Sequence, residues 1–485
     1  MNQASQSQRS VPEASLEVIA DRFAAQGPRA LELRESTARQ RITRLKELRR
    51  ILMSHRAALA RAFAEDFGKP TLEVDLTEVL PVLDEIRAAL CGLRHWMRPR
   101  SVAPTLTTLG TSGRIVYQPR GRCLIIGPWN YPVSTLLGPL VSAVASGNTA
   151  VLKPSEFTPA VNAVLAEIIA KVFDPAEVTL IEGGVATAQA LLDLPFDHIF
   201  FTGSLEVGKL VMAAAARHLA SVTLELGGKS PVIVDETADL RRAAEVILWG
   251  KLVNAGQTCI APDTLFVHAN VMEAFLILCR EIVAKRFGAD QETIAVSPDL
   301  ARMIHQRHAT RIAGLIDEAR AAGAEVVLGG DHDATHRYVA PTLLTKIPET
   351  VAISREEIFG PVMPVIEFTG IDDVIARLNI WPKPLTLYVW SRHRPTIRRI
   401  LAKTSSGGVV VNHCLQHFAH TGLPFGGVNA SGIGSAHGFH GFKAFSHERA
   451  VLRGSRFAAV KLFFPPYTQP KARLASALIS LLGRI

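Results

Sequence analysis

Cysteine is scarce in this chain. Five are spread over 485 residues (Cys91, Cys123, Cys259, Cys279 and Cys414), odd in number and without CxxC or Cys/His spacing. That pattern suggests neither a disulfide framework nor a zinc site, and it fits a reducing compartment. Long apolar runs are missing too: nowhere do about 18 apolar residues follow one another, the length a bilayer-spanning helix needs. The polar residues 1–12 contain no apolar core of a secretory signal, so a cytoplasmic protein is expected. There is no internal repeat, and the G-x-G-x-x-G turn common in dinucleotide sites is absent.

What remains is a globular composition with a basic balance. Hydrophobic residues make up 48% and charged ones 20%, which argues against wholesale disorder. A chain of 485 residues exceeds what one core supports, so two or more domains are expected. The net charge is +9 and the pI about 9.5, a balance that suits an anionic partner. The cations cluster mainly over residues 34–61, where Ile42, Leu45, Leu48, Ile51, Leu52, Leu59 and Phe63 recur at helical spacing. Arg39, Arg41, Lys46, Arg49 and Arg56 then read as the solvated face of an amphipathic helix. No recognition motif accompanies the charge, so nucleic acid is not an expected partner.

Helical segments continue to about Met97, followed by a Pro-, Thr- and Ser-rich connector over residues 100–112. Short apolar runs at 123–126, 149–152, 178–181, 198–201 and 222–224 then alternate with helical stretches such as 160–172 and 205–218. This β-α-β-α alternation predicts an α/β fold with a parallel doubly wound sheet, and Gly or Pro comes within two residues of most runs, where such sheets carry ligand loops. Residues 226–405 repeat the pattern, with runs at 231–234, 264–267, 325–328, 362–366 and 385–389, and predict a second α/β lobe. Residues 407–412 are β-rich, and 424–438 are Gly-rich and irregular. The tail, 471–485, spaces Leu474, Ala477, Leu478, Leu481 and Leu482 helically, with Lys471, Arg473 and Arg484 around them. It is too short to span a bilayer, and docking onto this protein or its twin is expected ahead of a membrane-surface anchor.

The chemistry concentrates in two stretches, Leu224-Glu225-Leu226-Gly227-Gly228-Lys229 and Gly256-Gln257-Thr258-Cys259. A thiolate attacks carbonyl carbon, and a carboxylate held near it can deprotonate the water that releases the acyl group. In the first sheet, Gly203-Ser204-Leu205-Glu206-Val207-Gly208 comes after the run 198–201 and opens a helix, so free N–H groups there can face a pyrophosphate. Lys153-Pro154-Ser155-Glu156 closes another run, where Lys153 and Glu156 suit the hydroxyls of an adenosine ribose. A Gly-containing strand-to-helix turn is structural more often than not, so each motif depends on its neighbours.

Those neighbours complete a series. Pro128-Trp129-Asn130-Tyr131-Pro132, Lys153 to Glu156, Phe201 to Ser204, Glu225 to Lys229, Gly256 to Cys259, Glu357-Ile358-Phe359-Gly360-Pro361-Val362 and Pro424-Phe425-Gly426-Gly427 stand in the order of the aldehyde dehydrogenase superfamily, which the chain resembles. The resemblance covers residues 45–452, and the segments 423–438 and 464–467 look closest to the class 3 branch, which includes fatty-aldehyde and coniferyl-aldehyde dehydrogenases.

The resemblance implies oxidation of an aromatic or medium-to-long-chain aldehyde to its acid, with NAD or NADP as cofactor. The route is a cysteine thiohemiacetal and then a thioester that water hydrolyses. It makes Cys259 the nucleophile, Glu225 the base for water, and the Asn130 amide with the Cys259 N–H the oxyanion donors. It implies that Pro128, Trp129, Lys153, Ser155, Glu156, residues Gly203 to Gly208 and Leu226 hold the dinucleotide, that Glu357 holds the nicotinamide ribose, and that Phe359 packs nearby. It also implies a Rossmann-like cofactor lobe (1–100 and 119–225), a catalytic lobe (226–407), a bridging element (101–118 and 408–447), a C-terminal extension (448–485) and a homodimer. Asn429-Ala430 departs from the branch's Gly-Asn, and His413 stands where an acid is common; His413 and His417 read as pocket-wall or packing residues. Acyl transfer to coenzyme A is the enzymatic alternative, disfavoured by Glu225, and a non-catalytic protein on the same fold is the other.

Overall fold

Two largely parallel sheets, built from the predicted apolar runs, organise the chain in the computed structural model. It describes residues 11–484; the start, 1–10, and Ile485 lie outside the described residues. The first sheet has the order Gly432–Ile433, Ser221–Glu225, His198–Thr202, Arg122–Ile126, Thr149–Lys153, Val178–Leu180. Its last five strands are parallel, whereas Gly432–Ile433 pairs antiparallel to Ser221–Glu225. Strands covered on both faces read as continuous apolar runs, which is why the sequence reveals them.

From Arg122–Ile126 the chain builds outward through Thr149–Lys153 and Val178–Leu180, then returns to add His198–Thr202 and Ser221–Glu225 on the other side. Strand order therefore reverses between Arg122–Ile126 and His198–Thr202, and sheets of this kind bind ligands at the carboxyl ends of such a reversal. Register aligns those ends: Ile126 lies opposite both Lys153 and Phe201, and Thr202 opposite Glu225.

The second sheet has the order Glu325–Leu328, Thr342–Thr345, Val362–Phe368, Thr264–His268, Pro231–Val234, Thr386–Trp390, Gly408–Val411. All its pairs are parallel except that of Glu325–Leu328. Gly408–Val411 is thus an edge strand of this sheet, not part of a separate element starting at 408. A third, antiparallel sheet joins Arg100–Val102, Ser112–Pro119 and Ser446–Arg453. It takes in residues that read as plain connector and as C-terminal extension, because its strands come from distant parts of the chain.

The basic segment corrects the single-helix reading. It forms two helices, Ala38–Ser54 and Arg56–Phe67, separated at His55. Leu45, Leu48, Ile51, Leu52, Leu59 and Phe63 are buried as their spacing predicts, but Arg41 is buried too. Its guanidinium donates to Ser36 Oγ at 2.9 Å and to the carbonyl of Ala145 at 3.0 Å. Ala145 belongs to the last turn of helix Ser134–Ser146, whose unpaired carbonyls attract a cation. In the tail, Gln469–Leu482 is helical, but none of its residues is buried, so it does not dock onto this chain. Among the described residues no helix is long and apolar enough to cross a membrane.

Candidate active site

The loop after Arg122–Ile126 meets the loop that carries Cys259. Gly127 leaves the strand with its N–H bonded to the carbonyl of Lys153 at 3.0 Å, and Pro128, Trp129, Asn130 and Tyr131 come next. On the facing side, beyond helix Leu240–Leu252, Asn254, Ala255 and Gly256 take left-handed φ angles of 55°, 51° and 74°. A Cβ on Gly256 would collide with the carbonyl of Gly360, so this approach requires glycine.

Left-handed conformations at non-glycine residues are strained and persist only where surroundings enforce them. Here the N–H of Asn254 donates to Glu73, and its side-chain amide donates to the carbonyls of Asn130 at 2.9 Å and Gln257 at 3.2 Å. The Asn130 amide donates to the carbonyl of Gln257 at 2.9 Å, and Tyr131 and Thr258 share a hydroxyl hydrogen bond of 2.7 Å. Behind them a fully buried pair joins Lys69 Nζ to Glu78 at 3.0 Å, with the ammonium 4.2 Å from the centre of the Tyr131 ring. The other Glu78 oxygen accepts from the N–H groups of Val133 at 3.1 Å and Ser134 at 2.9 Å.

Cys259 packs partly buried against the apolar cluster of Ile260, Leu385 and Phe425, which Leu415 and Phe418 also join. Burial pushes its thiol up to about 12; Glu357 and Glu225 add to the rise, and the N–H groups of Cys259 and Ile260 oppose it. Glu225 ends the strand Ser221–Glu225 and is buried, and neither carboxyl oxygen has a hydrogen-bond partner among the described residues. Burial holds its pKa well above 4.5. An unpaired buried carboxyl is costly to keep, and its raised pKa suits a general base.

Glu357 is pushed up to about 7, mainly by burial, while the N–H of Gly228 favours its ionised form. Its segment is fixed from below: Lys229 Nζ lies 2.6 Å from Asp263, whose other oxygen accepts the Ile358 N–H at 2.9 Å. Phe359 has a φ of 54° and its ring stands edge-on to Trp129, with centroids 5.5 Å apart. His308 donates to the Phe359 carbonyl at 2.9 Å.

The aldehyde dehydrogenase family model matches residues 4–451. The chain belongs to the aldehyde dehydrogenase family. It is 40% identical over 423 residues to the 4,4'-diaponeurosporen-aldehyde dehydrogenase of Staphylococcus aureus, covering 87% of this chain and 91% of that relative. It is 41% identical over 440 residues to aldehyde dehydrogenase family 3 member A2 of Macaca fascicularis, covering 90% and 89%. Among solved structures, the substrate-bound state of Staphylococcus aureus AldH matches with a TM-score of 0.90 and 38% identity, covering 95% of this chain and 99% of that one. The NAD+ complex of an aldehyde dehydrogenase from Bacillus cereus matches with a TM-score of 0.83 and 28% identity, covering 92% and 90%. The reaction of this aldehyde dehydrogenase is the NAD(P)-dependent oxidation of an aldehyde.

The aligned strand ends of this dehydrogenase fit such a dinucleotide. Ser204 caps helix Leu205–Ala216, its Oγ accepting the Val207 N–H, and the first-turn N–H groups of Leu205 and Glu206 have no intrahelical acceptor. The Glu206 carboxylate pairs with Lys209 at 3.0 Å on the surface, so only its backbone suits an anion. Gly208 permits close packing of the helix, since a Cβ there would strike Leu226. Lys153 is buried and lies 3.4 Å from Glu156, beside a buried Ser155 whose carbonyl accepts from Asn162 at 2.7 Å.

Sequence reasoning missed Lys69, Glu73, Glu78, Asn254 and His308. Each stands outside a motif, and only the proximity of distant segments reveals it. At the departure Asn429-Ala430, Asn429 adopts a φ of 56°, a conformation asparagine tolerates. His417 bonds Thr386 Oγ1 at 2.9 Å beside Phe425, while His413 bonds the N–H of Cys414 at 2.9 Å.

Proposed function

We propose that Cys259, Asn130 and Glu225 carry this oxidation, on medium- or long-chain aliphatic or aromatic aldehydes, and release the free acid. The observation that supports the reading is geometric: the Asn130 amide bonds the carbonyl of Gln257, two residues before Cys259, and the Glu357 carboxyl lies against Gly227, two residues after Glu225. The apolar wall of Ile260, Leu385 and Phe425 beside the thiol suits an apolar aldehyde.

In this reading the partly exposed Cys259 thiol loses its proton to solvent water and its sulfur bonds to the carbonyl carbon, whose π electrons move onto the oxygen. One N–H of the Asn130 amide is engaged by Gln257; the other, with the Cys259 N–H, meets the charge on the carbonyl oxygen. NAD or NADP, when bound, supplies the hydride acceptor; Leu205, Glu206 and Lys153 hold its phosphate and adenosine end and Glu357 its nicotinamide ribose, with Pro128, Trp129, Gly203, Val207 and Leu226 lining the way. Glu225 takes a proton from water, the water oxygen attacks the thioester carbonyl, and the carbon–sulfur bond breaks to return Cys259. A buried base without partners is ready for that water, and acyl transfer to coenzyme A would not need it. A cytoplasmic homodimer completes the proposal.

Formation of reduced cofactor is the test, with NAD and with NADP, across aldehydes from hexanal to hexadecanal and from benzaldehyde to coniferaldehyde. Turnover that favours the apolar, longer or aromatic members supports the substrate class. Turnover only in the presence of coenzyme A rejects acid release.

A further inference from the structure

Glu73 lies in the short helix Thr71–Val74, 181 positions before Asn254, and its carboxylate accepts the Asn254 N–H. Asn254 (φ 55°, ψ 30°) and Ala255 (φ 51°, ψ 34°) form the left-handed turn between helix Leu240–Leu252 and Cys259. Such a turn does not hold itself, because each non-glycine residue in it is strained. The Asn254 carbonyl accepts from the N–H and the side-chain amide of Gln257, both at 3.0 Å, but these are contacts inside the same loop. Glu73 reaches the backbone of the turn from a different part of the chain. What the turn carries is the link between the two loops of the site: the Asn254 amide donates to the carbonyls of Asn130 and Gln257, and the Asn130 amide donates to Gln257 as well.

The surroundings make this anchor sensitive to protonation. Glu78 holds the Lys69 ammonium at 3.0 Å and the N–H groups of Val133 and Ser134, so that ammonium is already engaged. Burial pushes the Glu73 carboxyl up to about 7; Lys69 and the Asn254 N–H oppose the rise, and Glu78 adds to it. Tyr131, whose hydroxyl shares a hydrogen bond with Thr258, is a further ionisable group that Glu73 acts on. Asp75, two residues on, forms an exposed pair with Arg56 at 2.5 Å. Residues 253–256 contribute no titratable side chain.

We propose that Glu73 is a positioning residue for the oxidation: through the Asn254 N–H its carboxylate holds the left-handed turn that seats Cys259 beside Asn130. This rests on the roles given above to Cys259 and Asn130. An N–H bond to an ionised carboxylate is roughly twice as strong as one to a neutral oxygen, so the turn is gripped when Glu73 is ionised and loosened when it is protonated. Burial puts that change in the neutral range and fixes its sign: turnover gains from the grip as pH rises through about 7. Glu73 bonds the turn and not the strand ends that fit the dinucleotide, so the gain falls on kcat and not on cofactor affinity.

Glu73→Ala and Glu73→Gln test this in the full-length enzyme, with an aldehyde the parent oxidises, from about pH 6 to about pH 9. Expressing kcat per cofactor-binding site removes any loss of folded protein. Glu73→Ala deletes the acceptor, and we expect its kcat to fall about 10- to 10²-fold, the cost of a small misplacement of reacting groups, with KM for NAD within about twofold of the parent's. Glu73→Gln keeps an oxygen that accepts the N–H but cannot ionise, so it should match the parent at about pH 6 and fall several-fold behind at about pH 9. Ionisation of Cys259 and Glu225 is common to both proteins and cancels in the ratio. Parental kcat in Glu73→Ala, or a ratio of parent to Glu73→Gln that stays constant across pH, overturns the proposal. Cys259→Ala measured alongside separates this from the wider reading: a parent-like Glu73→Ala beside an inactive Cys259→Ala sinks only the role of Glu73, whereas turnover by Cys259→Ala sinks the site itself.

Discussion

The side-chain amide of Asn130 donates a 2.9 Å hydrogen bond to the backbone carbonyl of Gln257, two residues before Cys259. This bond ties the loop after the central strand of the first sheet to the loop that carries the thiol, and it uses one of the two amide N–H groups; the proposed reaction assigns the other to the substrate oxygen. Asn130→Ala removes both. In Asn130→Ala, kcat is expected to fall about 10²- to 10³-fold, the usual cost of an oxyanion donor, with cofactor affinity little changed. Unchanged kcat would remove Asn130 from the reaction.

The Glu225 carboxyl has no hydrogen-bond partner among the described residues, so its replacement isolates its role. Glu225→Gln should leave hydride transfer fast and slow acyl release. Stopped-flow absorbance should then show a burst of reduced cofactor, about one per active site, before slow turnover. A variant that is slow in the first turnover would place Glu225 before acyl release.

The raised pKa of Glu225 also predicts how stability depends on pH. In the unfolded chain the carboxyl ionises near 4.5, whereas in the folded protein burial delays ionisation to higher pH. Between the two values the folded state binds more protons, so the contribution of this group is full below the unfolded pKa and is lost as pH rises through the folded one. Glu225→Gln should therefore raise Tm at about pH 8 more than at about pH 4. A shift that is equal at both would show that burial of this carboxyl does not control its ionisation.

The buried pair of Lys69 and Glu78 gives a structural counterpart. Lys69→Met strands a carboxylate that also receives the N–H groups of Val133 and Ser134, and removing one partner of a buried pair costs about 3–5 kcal/mol. Denaturant unfolding should show that loss, and Lys69→Met/Glu78→Gln should recover part of it. Additive losses would mean that the pair is not coupled.

Much of this architecture is legible in the sequence, for identifiable reasons. Strands such as Arg122–Ile126 and Thr149–Lys153 are buried on both faces and announce themselves as apolar runs; helix Leu205–Ala216 is announced by Ser204 and its spacing. Cys259 and Glu225 sit in motifs because the backbone around them is constrained, as the left-handed Gly256 shows. Arg41 misleads because periodicity identifies a face without showing what lies opposite, here the carbonyl of Ala145. Gly408–Val411 is easily misplaced because a β-rich run does not carry its sheet with it. Glu73 and Asn254 are invisible in the sequence because their link joins two segments far apart in the chain.

Cysteine-dependent oxidation is tested most directly by reduced-cofactor formation in Cys259→Ala beside the parent enzyme, with an aldehyde the parent oxidises and with cofactor binding measured in both. The variant should bind cofactor normally and form no reduced cofactor above the enzyme-free blank. Turnover by Cys259→Ala at a rate near that of the parent would contradict the role of this thiol as nucleophile.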